Sequence, residues 1–152
     1  MLSAARAALE EMAERDNLEK LPELLAVTVL TSMDQAQLKA VGLGRSPGEQ
    51  VELLARVGLE AGLRGFVCSP LEVASLRSLT GAEGVLVVPG IRPAGAEIGD
   101  QKRIATPAEA LRLGASFLVV GRPITQAPDP AEAAEAILKE MAEALEAPAL
   151  EA

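Results

Sequence analysis

The sequence predicts an α/β fold built on parallel strands, and three observations carry that reading. Short apolar runs rich in β-branched residues recur along the 152-residue chain, at 24–30 (LLAVTVL), 65–68 (GFVC), Val85–Val88 and 117–120 (FLVV). The last two lack the polar/apolar alternation of a strand wetted on one side, so both faces should be covered. Each of these two also stops at a glycine with an arginine close behind, Gly90 before Arg92 and Gly121 before Arg122. A parallel strand that ends this way delivers a backbone loop and a cation to the open mouth of an α/β fold, a setting that suits a phosphate.

The elements follow in order. Met1 to about Ala13 forms a helix with Ala5, Ala8, Leu9 and Met12 on one face, and no strand precedes it. The strand at 24–30 leads to a helix over 47–63 whose apolar positions are Val51, Leu53, Leu54, Val57 and Leu59. The buried strand 65–68 runs into Ser69-Pro70, which starts a helix over 71–79. After Val85–Val88, Thr106-Pro107-Ala108-Glu109 supplies an N-cap, a proline at the first helical position and an acid in the first turn. Ala110, Leu111 and Leu113 continue that helix and Gly114 stops it. The strand 117–120 follows, then Asp129-Pro130 opens a final helix reaching about Leu145. Strand, loop, helix and strand make a crossover that is almost always right-handed. The sum is one helix and four strand-helix units, a single domain over residues 1–152.

Composition narrows the chemistry. At 49% hydrophobic residues the chain can bury a core, while a net charge of −8 argues against a nucleic-acid surface. The acids gather in Glu10, Glu11, Glu14, Asp16 and Glu19, and again in Glu132, Glu135, Glu140, Glu143 and Glu146, as solvated helix faces. No apolar run approaches the ~20 residues that span a bilayer and no basic segment precedes one, so a cytoplasmic protein without membrane attachment is expected. The one cysteine, Cys68, falls in a buried strand and reads as a small hydrophobe. With no histidine, Ser-His and Cys-His pairs, imidazole acid-base steps and histidine metal sites are all excluded. Neither Trp nor Tyr is present, which removes stacking platforms for single-stranded nucleic acid.

Five ordered segments carry a family resemblance: residues 26–33 (AVTVLTSM), 65–69 (GFVCS), 89–93 (PGIRP), Gly99-Asp100-Gln101 with Arg103-Ile104 and Thr106-Pro107, and 121–125 (GRPIT). Together they resemble the successive motifs of orotidine 5'-phosphate decarboxylase. The resemblance implies a truncated TIM (β/α)8 barrel, about four parallel strands each followed by a helix and preceded by one helix. These motifs occupy the later part of the family's barrel, and the front part has no counterpart here.

The family's chemistry resembles a charge array, Asp-x-Lys-x-x-Asp with a further lysine, in which a lysine protonates C6 of the pyrimidine as carbon dioxide leaves. The lysines here are Lys20, Lys39, Lys102 and Lys139, and none stands two residues after an Asp and three before another. No catalytic residue carries over, and neither a metal nor an organic cofactor is implied. The ligand-holding residues do carry over. By resemblance Gly121 and Arg122 bind the 5'-phosphate of orotidine 5'-phosphate or UMP through a backbone N–H and a guanidinium fork. Gln101 lies across the nucleotide, Arg92 sits at the phosphate rim, and Thr31 hydrogen-bonds the pyrimidine edge.

Each has a plainer reading. Arg122 could be a solvent-facing loop arginine, Arg92 part of a turn, Gln101 a surface polar residue, and Thr31 a satisfier of backbone groups at a strand end. Three functions are open: a piece of a working decarboxylase, including a product started at an internal methionine; a non-catalytic nucleotide-phosphate binding or assembly module; and another ribose-phosphate barrel enzyme. The family is dimeric, and strands cut from a barrel leave edges that template pairing, so a homodimer is expected.

Overall fold

A computed structural model describes residues 1–93, 99 and 102–146. Four parallel strands, β1 (Leu25–Val27), β2 (Gly65–Val67), β3 (Val85–Val88) and β4 (Phe117–Leu118), form one sheet in sequence order. The register aligns Ala26 with Phe66 and Leu86, and Val27 with Val67, Val87 and Phe117. Because side chains alternate across a sheet, the first row faces one side and the second the other. The helices are α1 (Leu2–Asp16), α2 (Gln35–Ala40), α3 (Pro47–Glu60), α4 (Val73–Thr80), α5 (Pro107–Arg112), α6 (Arg122–Thr125) and α7 (Pro130–Glu146), with a 3₁₀ turn at Pro70–Glu72.

Local sequence explains most of the boundaries. Ser46 and Glu49 form a reciprocal capping box at the start of α3, Thr106 and Glu109 another at α5, each ahead of a proline that a first helical position tolerates. Asp129 caps α7 by accepting from the N–H groups of Ala131 at 2.9 Å and Glu132 at 3.1 Å. Gly114, at φ +102°, ends the chain segment after α5 in a left-handed conformation open to glycine.

The core lies between the sheet and its helices. Val51 and Ala55 of α3, Phe66, Val73 and Leu76 of α4, and Leu86, Val88 and Ala110 are fully enclosed, with Leu38 and Cys68 nearly so. Gly58 lets α3 approach β2 closely, since a methyl there would lie 2.5 Å from Cε1 of Phe66. The other face of the sheet is not covered by the described residues. Leu25 is 43% exposed, Val27 59%, Phe117 61% and Val119 49%. The expectation of two covered faces is therefore corrected: the helices pack on one side only, and the opposite side of these non-alternating strands is the concave face that further barrel strands would enclose.

The strands are also shorter than expected. The first ends at Val27 rather than Leu30: the Leu30 carbonyl accepts from the Met33 N–H in a turn, and the guanidinium of Arg103 also donates to the carbonyls of Val29 and Leu30. The last is assigned only to Phe117–Leu118, although the Val119 N–H still donates to the Val88 carbonyl at 2.9 Å. The helix expected over 71–79 begins with the 3₁₀ turn and becomes α-helical only from Val73. Two short helices, α2 and α6, were not expected, although the Asp34-x-x-Gln37 capping box was a legible signal for α2. Helix α1 buries no residue and is tied down by Arg6, whose Nη1 donates to the Gly62 carbonyl at 2.9 Å.

Candidate functional site

Parallel strands put their C-terminal ends on one edge of the sheet, and residues just beyond those ends share that edge. Thr31 follows β1, Arg92 follows β3, and Gly121 with Arg122 follows β4. The described part of the segment 99–105 touches all three positions. The Lys102 N–H donates to the Thr31 carbonyl at 3.3 Å, and the Arg92 N–H donates to the Ala105 carbonyl at 2.9 Å. Gly99, at φ +63°, lies against the Arg122 guanidinium so closely that a methyl on it would sit 2.7 Å from Nη1. Gly99 thus lies at the end of β4, and residues 102–105 lie at the ends of β1 and β3.

The sequence-predicted residues differ in their settings. Thr31 and Arg92 are both buried, each 7% exposed. Arg92 Nη1 donates to the Ile91 carbonyl at 2.8 Å. Gly121 and Arg122 are exposed, and the Gly121 carbonyl accepts from the N–H groups of Ile124 and Thr125, which folds α6 immediately behind it. Gln101 lies outside the described residues.

Sequence reasoning missed the polar network beneath this edge. Arg103 is 6% exposed, and its Nη1 donates to Glu72 Oε1 at 2.5 Å. Its Nη2 donates to the carbonyls of Val29 at 3.0 Å and Leu30 at 2.9 Å. Glu72, itself 5% exposed, takes a further hydrogen bond from the Ser69 hydroxyl. The spacing Ser69-x-x-Glu72 resembles a capping box and was the available signal for half of this network. Nothing local in the sequence marks Arg103 as its partner, because the two are 31 residues apart.

Charge is concentrated here. Lys102 Nζ binds Asp34 Oδ2 at 2.6 Å and Gln37 Oε1 at 3.0 Å, which ties the same segment to the start of α2. That ammonium first, and the Gln37 N–H second, hold the Asp34 carboxyl below the usual carboxylate range. Arg92, Lys102, Arg103 and Arg122 all lie at this end of the sheet, with Lys102 paired to Asp34 and Arg103 to Glu72. Such an arrangement can hold an anion and orient a polar ring. Cys68 beneath it is a core thiol pushed up to about 12 by burial and then by the Glu72 charge, so it is chemically inert at neutral pH. Among the described residues, no group of three or more His, Cys, Asp or Glu is arranged to hold a metal ion.

Comparison with known proteins assigns the family and the fold. The model of the orotidine 5'-phosphate decarboxylase / HUMPS family matches residues 1–137. The chain belongs to this family. Orotidine 5'-phosphate decarboxylase of Moorella thermoacetica is 54% identical over 142 residues, a match covering 93% of this chain and 56% of that protein. The enzyme of Gluconobacter oxydans is 52% identical over 144 residues, covering 95% of this chain and 60% of its own. The crystal structure of orotidine 5'-phosphate decarboxylase from Lactobacillus acidophilus superposes with a TM-score of 0.72 at 40% identity, over 93% of this chain and 58% of that one. An uncharacterized conserved protein from Geobacillus kaustophilus gives 0.71 at 30% identity with the same coverage. This decarboxylase-family chain therefore spans little more than half the length of the relatives it matches. Its four parallel strands and helices are a truncated part of a decarboxylase barrel, as the motif order implied. Among the described residues no helix is long and apolar enough to cross a membrane.

Proposed function

We propose that the chain is the nucleotide-holding part of an orotidine 5'-phosphate decarboxylase barrel, a single domain that grips the 5'-phosphate and pyrimidine while another stretch of polypeptide supplies the chemistry. The observation that carries this reading is the meeting of Thr31, Arg92 and Arg122 with the 99–105 segment at one end of the sheet. Arg122 and the Gly121 N–H bind the phosphate, Arg92 adds charge behind it, and Thr31 with Gln101 contacts the pyrimidine. An exposed arginine is suited to the phosphate because its fork of donors matches two oxygens at once. The protein works in the cytoplasm, without a cofactor, as a homodimer.

Alone, the chain does not decarboxylate. Loss of carbon dioxide leaves an electron pair on C6 that a positioned cation must stabilise and then protonate. Lys102, the lysine at this edge, is committed to Asp34 and Gln37. A nucleotide-phosphate binding module without catalysis is the second reading, favoured by the roughly half-length match to the relatives.

Binding and turnover test the proposal together. UMP should bind better than uridine, and Arg122→Ala should cost about 1.5–3 kcal/mol of UMP affinity, the worth of a charged hydrogen bond. Equal affinities for UMP and uridine would remove the phosphate site. Mixing with a separately expressed front part of a related enzyme should restore carbon dioxide release that depends on Arg122; release by the chain alone would refute its assigned role, and a complex that binds UMP without release would favour the binding module.

A further inference from the structure

We propose that Arg103 is a positioning residue for the pyrimidine half of the site, acting through the backbone of residues 29–31 and resting on the nucleotide reading above. Its guanidinium reaches three places at once: Glu72 in the turn after β2, and the carbonyls of Val29 and Leu30, the two residues that lead into Thr31. The Thr31 carbonyl is held in turn by the N–H of Lys102, the residue next to Arg103. The end of β1 is thereby held by two consecutive residues, Lys102 and Arg103.

The network is a poor device for stability as such. Two charges taken out of water lose hydration that their attraction repays only with good geometry, and apolar replacement of such pairs is often neutral. Among the described residues Arg103 Nε is also buried with no hydrogen-bond partner, an unmet donor that a purely stabilising design would avoid. What the ion pair does supply is direction. The planar guanidinium fixes where two carbonyls lie, and Glu72, oriented by the Ser69 hydroxyl, fixes the guanidinium. Beyond β1, which ends at Val27, the Leu30 carbonyl also accepts from the Met33 N–H at 2.9 Å, and the guanidinium holds that turn and the Val29 carbonyl to one donor group.

The positioning role separates the two halves of the ligand. The phosphate is gripped at β4 by Gly121 and Arg122, and the base is read at β1 by Thr31, so loosening β1 should harm recognition of the base and spare that of the phosphate. UMP and ribose 5-phosphate are the probes, because the second carries the phosphate and sugar without the base.

The experiment compares the intact chain with the double variant Glu72→Met/Arg103→Met, which removes both charges and leaves no buried ion unpaired, and with Arg103→Lys, which keeps the charge if the double variant does not fold. Affinities are measured by calorimetry, and amide exchange is followed at Lys102, Arg92 and Cys68. The expected result is a roughly tenfold fall in the ratio of UMP to ribose 5-phosphate affinity, with exchange at least tenfold faster at Lys102 and Arg92 and unchanged at Cys68, whose N–H belongs to the sheet. Arg103→Lys should show a smaller change in the same direction. An unchanged ratio, or unchanged exchange at Lys102 and Arg92, overturns the proposal, as does equal loss of both ligands. If the intact chain binds neither probe, the nucleotide reading fails, and the exchange arm alone decides whether Arg103 fixes the end of β1.

Discussion

Replacing Gly58 by alanine tests how α3 seats on the sheet. The added methyl would lie 2.5 Å from Cε1 and 3.0 Å from Cζ of Phe66, a ring that is fully buried and has no room to yield. Overpacking of this kind costs about 1–3 kcal/mol. Against it, alanine is favoured over glycine in a helix by at most about 1 kcal/mol, and less in the final turn where Gly58 lies. A net loss of about 1–2 kcal/mol is therefore expected. In a Phe66→Leu background the two ring atoms are gone, so the same substitution should be neutral or stabilising by up to about 1 kcal/mol. The coupling across the double-mutant cycle should then be on the order of 2 kcal/mol. Far-UV circular dichroism in urea is the suitable assay, because the chain has neither Trp nor Tyr to report by fluorescence. Protein concentration is held fixed so that assembly does not contribute. Additivity within about 0.5 kcal/mol, or stabilisation by Gly58→Ala with Phe66 intact, would refute the close approach.

Gly99→Ala should weaken UMP binding by a factor comparable to Arg122→Ala, since its methyl displaces the guanidinium and its φ of +63° disfavours a side chain; titration calorimetry checks it, and an unchanged affinity would separate Gly99 from the site. Val27→Lys and Phe117→Lys, both on the uncovered face, should shift sedimentation toward smaller species, while an unchanged distribution would mean that this face is not where copies meet. The carboxyls of Asp34, Glu49 and Glu109 are depressed by hydrogen bonds from Lys102, Ser46 and Thr106 respectively, so their contribution is complete above the ordinary carboxylate range and lost as pH falls through the lowered values. Acid titration of helicity should therefore steepen below about pH 4, and Asp34→Asn should flatten it. Cys68, raised to about 12 from 9.0, keeps its proton in the folded chain where the unfolded thiol would lose it, so stability should decline between those values and a thiol reagent at pH 8 should label only after denaturant is added.

The sequence by itself determined the class of fold, its element order and its family, because each of those is written in local pattern. Thr106-Pro107 and Asp129-Pro130 mark helix starts by capping chemistry that needs no distant partner, and the structure starts α5 and α7 there. The apolar runs marked four strands, yet not where they stop. Past the end of β1 the Val29 and Leu30 carbonyls accept from Arg103, far along the chain, and that of Leu30 also from Met33 in a turn. Nor could the runs reveal that one face would stand open, since a strand made for two-sided burial reads the same whether or not the second layer is present. The site divides in the same way. Arg122 was legible from the glycine-arginine turn at a strand end, whereas the contact of Gly99 with Arg122 and the Arg103–Glu72–Ser69 network arise only when residues distant in the chain meet at the strand ends. Hydrogen bonds between residues dozens of positions apart leave no periodicity to read, and the tertiary structure alone brings them together.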